Sequence, residues 1–211
     1  LGRRVFPFFI EKGVNHDGSG SSITLKNSKL LDLSSLTLFL LFALADLFIS
    51  QTQVIGGLAL ALVVIHSIRF YNWYTPHIWK KPLLWVLMVG YGWMIIGFLL
   101  KALATAGFVS PYLALHAFTY GAVGTVTIGM MARVSLGHTG RSVFNPPKGL
   151  NLIFGLLTAG AFVRILLPLL YPQQSINWML LSQLLWTATF SLFAWHYATM
   201  LIRPRIDGRP G

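Results

Sequence analysis

Apolar positions run along this chain in long blocks, broken at intervals by short polar or proline-bearing stretches. Six blocks approach the roughly 20 residues that a helix needs to cross a bilayer. They lie near residues 30–50, 54–70, 82–106, 112–134, 150–170 and 176–202. Pro82 is no obstacle at the head of the third, because the first turn of a helix tolerates proline. Two connections are tight: Gln51, Thr52 and Gln53 join the first pair, and residues 171–175 join the last. The links after the second and fourth blocks are longer and carry Pro76, Pro146 and Pro147. Residues 11–22 are polar, with glycine and serine, and read as a mobile loop. No internal repeat breaks the chain into units. The pattern predicts an all-α fold, a polytopic membrane helical bundle of about six transmembrane helices forming one domain over residues 1–211.

Composition agrees with that pattern. Of 211 residues, 55% are hydrophobic and only 10% charged, where a soluble domain carries roughly 25% charged residues. The mean hydropathy is +0.67. Too little polar surface exists to cover a globule in water, so the lipid bilayer is the expected surrounding. The chain begins at Leu1, with no basic segment and cleavage site ahead of it, which reads as part of a longer protein rather than a signal peptide. There is no cysteine, so thiolate ligation and iron–sulfur clusters from this chain are excluded.

The net charge of +11 raises nucleic acid as a partner, and the placement of the charges answers against it. Arg3, Arg4, Lys12, Lys26 and Lys29 precede the first block; Arg69, Lys80 and Lys81 follow the second. Arg133, Arg141 and Lys148 follow the fourth, and Arg203, Arg205 and Arg209 follow the sixth. If the helices alternate, all fall on one face, and the opposite face receives Lys101 alone. The positive-inside rule then places both ends of the chain in the cytoplasm. Tyr71, Trp73, Tyr74 and Trp79 fit an aromatic belt on the same face. Gly90 and Gly97 in the third block, with Gly121, Gly124 and Gly129 in the fourth, read as close-packing positions between helices.

Ionisable side chains at membrane depth are costly and mark candidate function. Alternation puts Asp46, His116 and Arg164 toward the face opposite the basic one. There Asp46 and Arg164 could pair, or the three could line a polar pathway. His66 and Arg69, three residues apart, share a helix face near the basic end. His66 could bond a backbone carbonyl or ligate haem iron, and His196 lies at a matching depth for a second imidazole. Met130 and Met131 offer thioether sulfur suited to Cu(I), or serve as core filler. His16 and His77 fall in loops and read as solvated. His138 stands in MARVSLGHTGRSVFNPPKG (131–149), between glycines at the mouth of the fourth helix. That stretch reads either as an ordinary basic loop or as an interfacial turn with His138 and Arg141 facing a ligand.

Several stretches resemble the NnrS family of bacterial inner-membrane proteins: GMMARVSLGHTGR from Gly129, LGRRVFPFF at the start, HSIRFYNW from His66, KPLLWVLMVGYGWMIIG from Lys81, HAFTYGAVG from His116 and RPRIDGRPG at the end. The resemblance implies a protein with about twice as many transmembrane helices, of which this chain is the C-terminal half, partnered by its own N-terminal half. It implies haem b and copper and a role in the response to nitric oxide. His66, His116 and His138 map onto motif positions and become the metal candidates. Arg69, Arg133 and Arg141 become candidates to neutralise haem propionates or other anions. His116 sits toward the opposite face from His66 and His138, so the three cannot share one iron. The alternatives are a transporter or permease whose pathway is lined by Asp46, His116 and Arg164, and an assembly subunit without its own chemistry.

Overall fold

A computed structural model describes residues 2–16, 23–49 and 51–208. Among the described residues seven main helices follow one another: α1 (Gly2–Asn15), α2 (Lys29–Phe48), α3 (Thr52–Trp73), α4 (Pro82–Thr105), α5 (Pro111–His138), α6 (Leu150–Leu170) and α7 (Ser175–Leu201). No strand occurs among the described residues. Helices α2 to α6 are long and apolar enough to cross a membrane. The sixth expected span, α7, has 27 residues but falls outside that group of five. Asn177, Ser182, Gln183, Thr187 and Thr189 dilute its apolar surface. Short connections follow α2 and α6, neighbouring helices run antiparallel, and the chain alternates between a basic end and a far end.

Local chemistry sets where the helices begin and stop. Ser28 caps α2 by accepting from the Leu31 amide, and prolines stand in the first turn of α4 and α5, where their missing N–H costs nothing. Gly149, at φ +105°, provides the left-handed residue before α6. Helix α6 is broken near its far end. Pro168 has no N–H to give to the carbonyl four residues earlier, that of Arg164. The chain tightens there into a Leu169 N–H to Leu166 carbonyl bond of 3.1 Å. Helix α5 changes its winding directly after His116, with a π-helical segment over Ala117–Gly124.

Helix α4 is the axis of the bundle, and its glycines interlock with those of α5. A Cβ on Gly90 would lie 2.6 Å from Val126, and one on Gly97 would lie 2.7 Å from Phe118. Reciprocally, Gly121 receives Trp93 and Gly129 receives Val86, at 2.7 and 2.6 Å from the same hypothetical atom. The packing expected of these glycines is therefore present, and Gly124 serves α7 by admitting Trp186.

Two sequence expectations are corrected. The loop foreseen over 11–22 starts later, since Glu11 to Asn15 close α1, while 17–22 lie outside the described residues. Helix α1 buries Phe6, Ile10 and Val14, four residues apart, in the main core. Phe6 meets Trp73 and Tyr91 edge-on. The SLGHTGR stretch is also more helical than an interfacial turn. Ser135 to His138 form the last turn of α5, and the reversal comes at Gly140, φ +73°. Gly140 lies so close to Asp207 that a Cβ would come within 2.9 Å of its carboxyl group. That turn packs on the chain's own C-terminal segment.

Candidate functional site

The most buried polar chain of side chains runs through the basic half of the bundle. His66 and Arg69 occupy one face of α3 and are 8% and 6% exposed. Arg69 donates to Asp32 Oδ1 at 3.0 Å, to Ser35 Oγ at 2.8 Å and to the Leu31 carbonyl at 2.8 Å, all on α2. Its guanidinium also stands 5.7 Å from the Trp73 ring and faces the Tyr91 hydroxyl. Tyr91, on α4, lies 2.6 Å from His66 Nδ1. Asp32, Arg69, Tyr91 and His66 thus form one network across three helices. Phe98 closes the other side of the imidazole, parallel to it with ring centroids 5.7 Å apart. Neither Asp32 nor Tyr91 stands out in the sequence. Asp32 reads there as a helix-start residue, which favours acids for the helix dipole alone, and Tyr91 reads as an apolar-helix aromatic.

The other two histidine candidates stand apart from this network. His116, half-buried on α5, donates from Nδ1 to the Tyr112 carbonyl at 2.6 Å. Its Nε2 is therefore the acceptor, and Arg164 of α6 donates to it. His138 ends α5 exposed, and its backbone carbonyl accepts from Arg205 at 3.0 Å. Arg205 in turn is bidentate with Asp207, whose carboxylate holds the guanidinium above its ordinary pKa. His196 donates from Nδ1 to the Leu192 carbonyl and lies against Gly149, whereas His66 meets Tyr91 and Phe98. His16 and His77 are exposed, as expected, though His16 stacks on Phe144 at 3.6 Å. Among the described residues no group of three or more His, Asp or Glu side chains could hold a metal ion.

Arg133 lies 4.0 Å from the centroid of the Phe9 ring and donates to the Leu83 carbonyl at 3.3 Å. Its Nε and the Nη1 of Arg141 are buried without a hydrogen-bond partner among the described residues. Such orphaned donors are rare and point to an unfilled need for an acceptor. Arg133 faces a cavity of about 480 Å³ walled by Lys80, Lys81, Lys148 and the 143–147 stretch of the motif segment.

The far half holds the remaining intramembrane charges, and the expected Asp46–Arg164 pair is replaced by another arrangement. Asp46 bonds Lys101 at 2.6 Å, because the α2–α3 hairpin brings the far end of α2 beside α4 rather than α6. Those two residues edge an apolar cavity of about 640 Å³ lined by Phe42, Phe98 and Phe118. Arg164 and His116 instead line two other cavities. Among the described residues, Asp46 thus borders a different cavity from the ones that His116 and Arg164 share.

A family model described as NnrS protein matches residues 1–205, nearly the whole chain. No curated protein and no solved structure matches it. The chain belongs to the NnrS family, as its motifs suggest.

Proposed function

We propose that this member of the NnrS family is a protein of the bacterial inner membrane, with both ends cytoplasmic, that carries haem and copper in the response to nitric oxide. Family membership supports the cofactors, and the excess of basic residues at one end of the bundle supports the orientation. The observation that carries the reading within this chain is the setting of His66. Metal-bound histidines have their second ring nitrogen fixed by a hydrogen bond that sets ring orientation and tautomer. His66 has this at Tyr91, and it is buried against an aromatic wall.

The donor sets differ in their fit. His66, His116 and His138 do not come together, so a copper site built from all three does not fit the described residues. His66 would be the imidazole that holds a haem iron, with a further ligand from outside this set. A haem there supplies an iron centre able to bind nitric oxide. Tyr91 would orient the imidazole, and Asp32 would hold Arg69 in place behind the phenol. Arg133 and Arg141, with orphaned N–H groups, would donate to the anionic edge of a cofactor or another acid. His116 and His138 would each need partners from outside this set to bind a metal.

The visible spectrum of the protein purified from membranes in detergent tests this. A Soret band should be present, should disappear or shift in His66→Ala, and should persist in His138→Ala. A colourless, metal-free wild-type preparation overturns the proposal.

A further inference from the structure

We infer that Arg164 and His116 form a binding site for an oxyanion at the far end of the bundle, separate from the His66 network. The argument starts from charge. The chain has five acidic residues, and the four described ones are all engaged elsewhere. Glu11 accepts from the Leu25 amide, Asp32 holds Arg69, Asp46 holds Lys101 and Asp207 holds Arg205; the fifth, Asp17, lies outside the described residues. Arg164 has no carboxylate partner among the described residues. Its one hydrogen bond there goes to His116.

That bond does not neutralise the charge. His116 donates a hydrogen bond from Nδ1–H to the Tyr112 carbonyl, so Nε2, which accepts from Arg164, presents a lone pair and the ring is neutral. A guanidinium has five N–H donors in a rigid planar fork suited to two oxygens of one anion. His116 takes one of them and fixes how the fork is held. Arg164 stands six residues before the end of α6, roughly 9 Å below it at 1.5 Å per residue. An unneutralised charge at that depth is costly unless it meets a partner. Topology does not account for it either, since the positive-inside rule disfavours arginine at this end.

Space for a partner lies on both sides of the pair. One cavity of about 610 Å³ opens toward the α6–α7 turn and is lined by Ser110, Tyr112 and Ser175 as well as the pair. The other, about 510 Å³, faces α7 and is lined by Thr119, Ser182, Gln183 and Thr187. The Thr119, Ser175 and Ser182 hydroxyls already donate to backbone carbonyls of their own helices or turns, which leaves Ser110, Tyr112, Gln183 and Thr187 as the groups that would donate to anion oxygens. Two irregularities of the helices adjoin the site. The π-helical segment of α5 begins at the residue after His116, and the proline break of α6 follows Arg164 by four residues. π-helical turns gather at functional sites. The shared chemistry is a phosphate-like oxyanion, coming either from a phospholipid headgroup of the adjacent leaflet or from a small free ion.

Two probes distinguish the sources. Inorganic phosphate is titrated calorimetrically into delipidated protein in neutral detergent. Phosphatidylglycerol retention is read by native mass spectrometry from nanodiscs of phosphatidylcholine with a minor phosphatidylglycerol fraction. Saturable phosphate binding identifies a free ion, and selective lipid retention without it identifies a headgroup; either supports the site. Arg164→Gln should weaken the positive signal at least tenfold, with Arg164→Lys in between. Gln183→Glu keeps Arg164 and places a carboxylate in the wall of the cavity the two residues share; it should abolish binding while leaving the melting temperature equal or higher. Absence of both signals in wild type, or signals unchanged in both Arg164→Gln and Gln183→Glu, overturns the inference.

Discussion

At the scale of single residues, two ion pairs of similar length carry different weight. Asp32–Arg69 and Asp46–Lys101 close at 3.0 and 2.6 Å, but their basic side chains are 7% and 24% exposed respectively. Removing one member of a buried pair strands the other charge, which costs about 3–5 kcal/mol, whereas an exposed pair contributes about 0–1 kcal/mol. Arg69 keeps the Leu31 carbonyl and Ser35 hydroxyl after loss of Asp32, so the lower end, about 3 kcal/mol, is expected for Asp32→Ala. Asp46 and Lys101 stand two and four residues before the ends of α2 and α4, where a lysine stem can carry its charge to the interface, so Asp46→Ala should cost about 1 kcal/mol or less. Unfolding in mixed detergent micelles measures both, and equal losses would show that burial does not separate the pairs. This ordering is not legible in the sequence, where Asp46 is the intramembrane acid that draws notice. Depth along a helix can be counted from residue numbers, but whether a neighbour covers the side chain depends on packing between helices.

At the scale of elements, sequence and structure agree closely, because a bilayer admits helices whose backbone is satisfied internally and little else. The third block, foreseen over 82–106, is Pro82–Thr105, and the fifth is found at Leu150–Leu170 as expected. Helix α1 escaped because Arg3, Arg4 and Pro7 interrupt its first half, and its apolar face is only three residues deep. The last turn of α5 escaped because Gly137, a poor helix former, stands beside a histidine in what reads as a loop. The glycines of α4 and α5 make a sharper statement. Gly121→Val would drive a side chain into Trp93, where even a Cβ lies 2.7 Å away, and overpacking of this kind costs about 1–3 kcal/mol. Gly57→Ala, in α3, meets nothing within 4 Å and should be neutral or stabilising by up to about 1 kcal/mol through helix propensity. Thermal unfolding in detergent should show a loss for Gly121→Val and none for Gly57→Ala; equal destabilisation would mean that the close contact at Gly121 does not set the two positions apart.

At the scale of the whole molecule, alternation of antiparallel helices decides which polar groups can meet. His66 and Asp32 belong to the basic half, and His116 and Arg164 to the far half. Their separation was readable from residue numbers, while the particular partners, Tyr91 for His66 and Arg164 for His116, depended on which helices pack side by side. The orientation of the two halves across the membrane rests on charge alone and can be tested cleanly, because the chain has no cysteine of its own. Phe108, in the α4–α5 link, is 78% exposed, and Ser142, after α5, is also exposed. With the basic end in the cytoplasm, Phe108→Cys should react with a membrane-impermeant maleimide in cells whose outer membrane is opened. Ser142→Cys should react only after the inner membrane is broken. The reverse pattern would turn the bundle over, placing the Arg164–His116 pair on the cytoplasmic side and His66 toward the opposite one. An oxyanion reaching Arg164 would then come from the cytoplasm, so this labelling also fixes which aqueous compartment or leaflet supplies it.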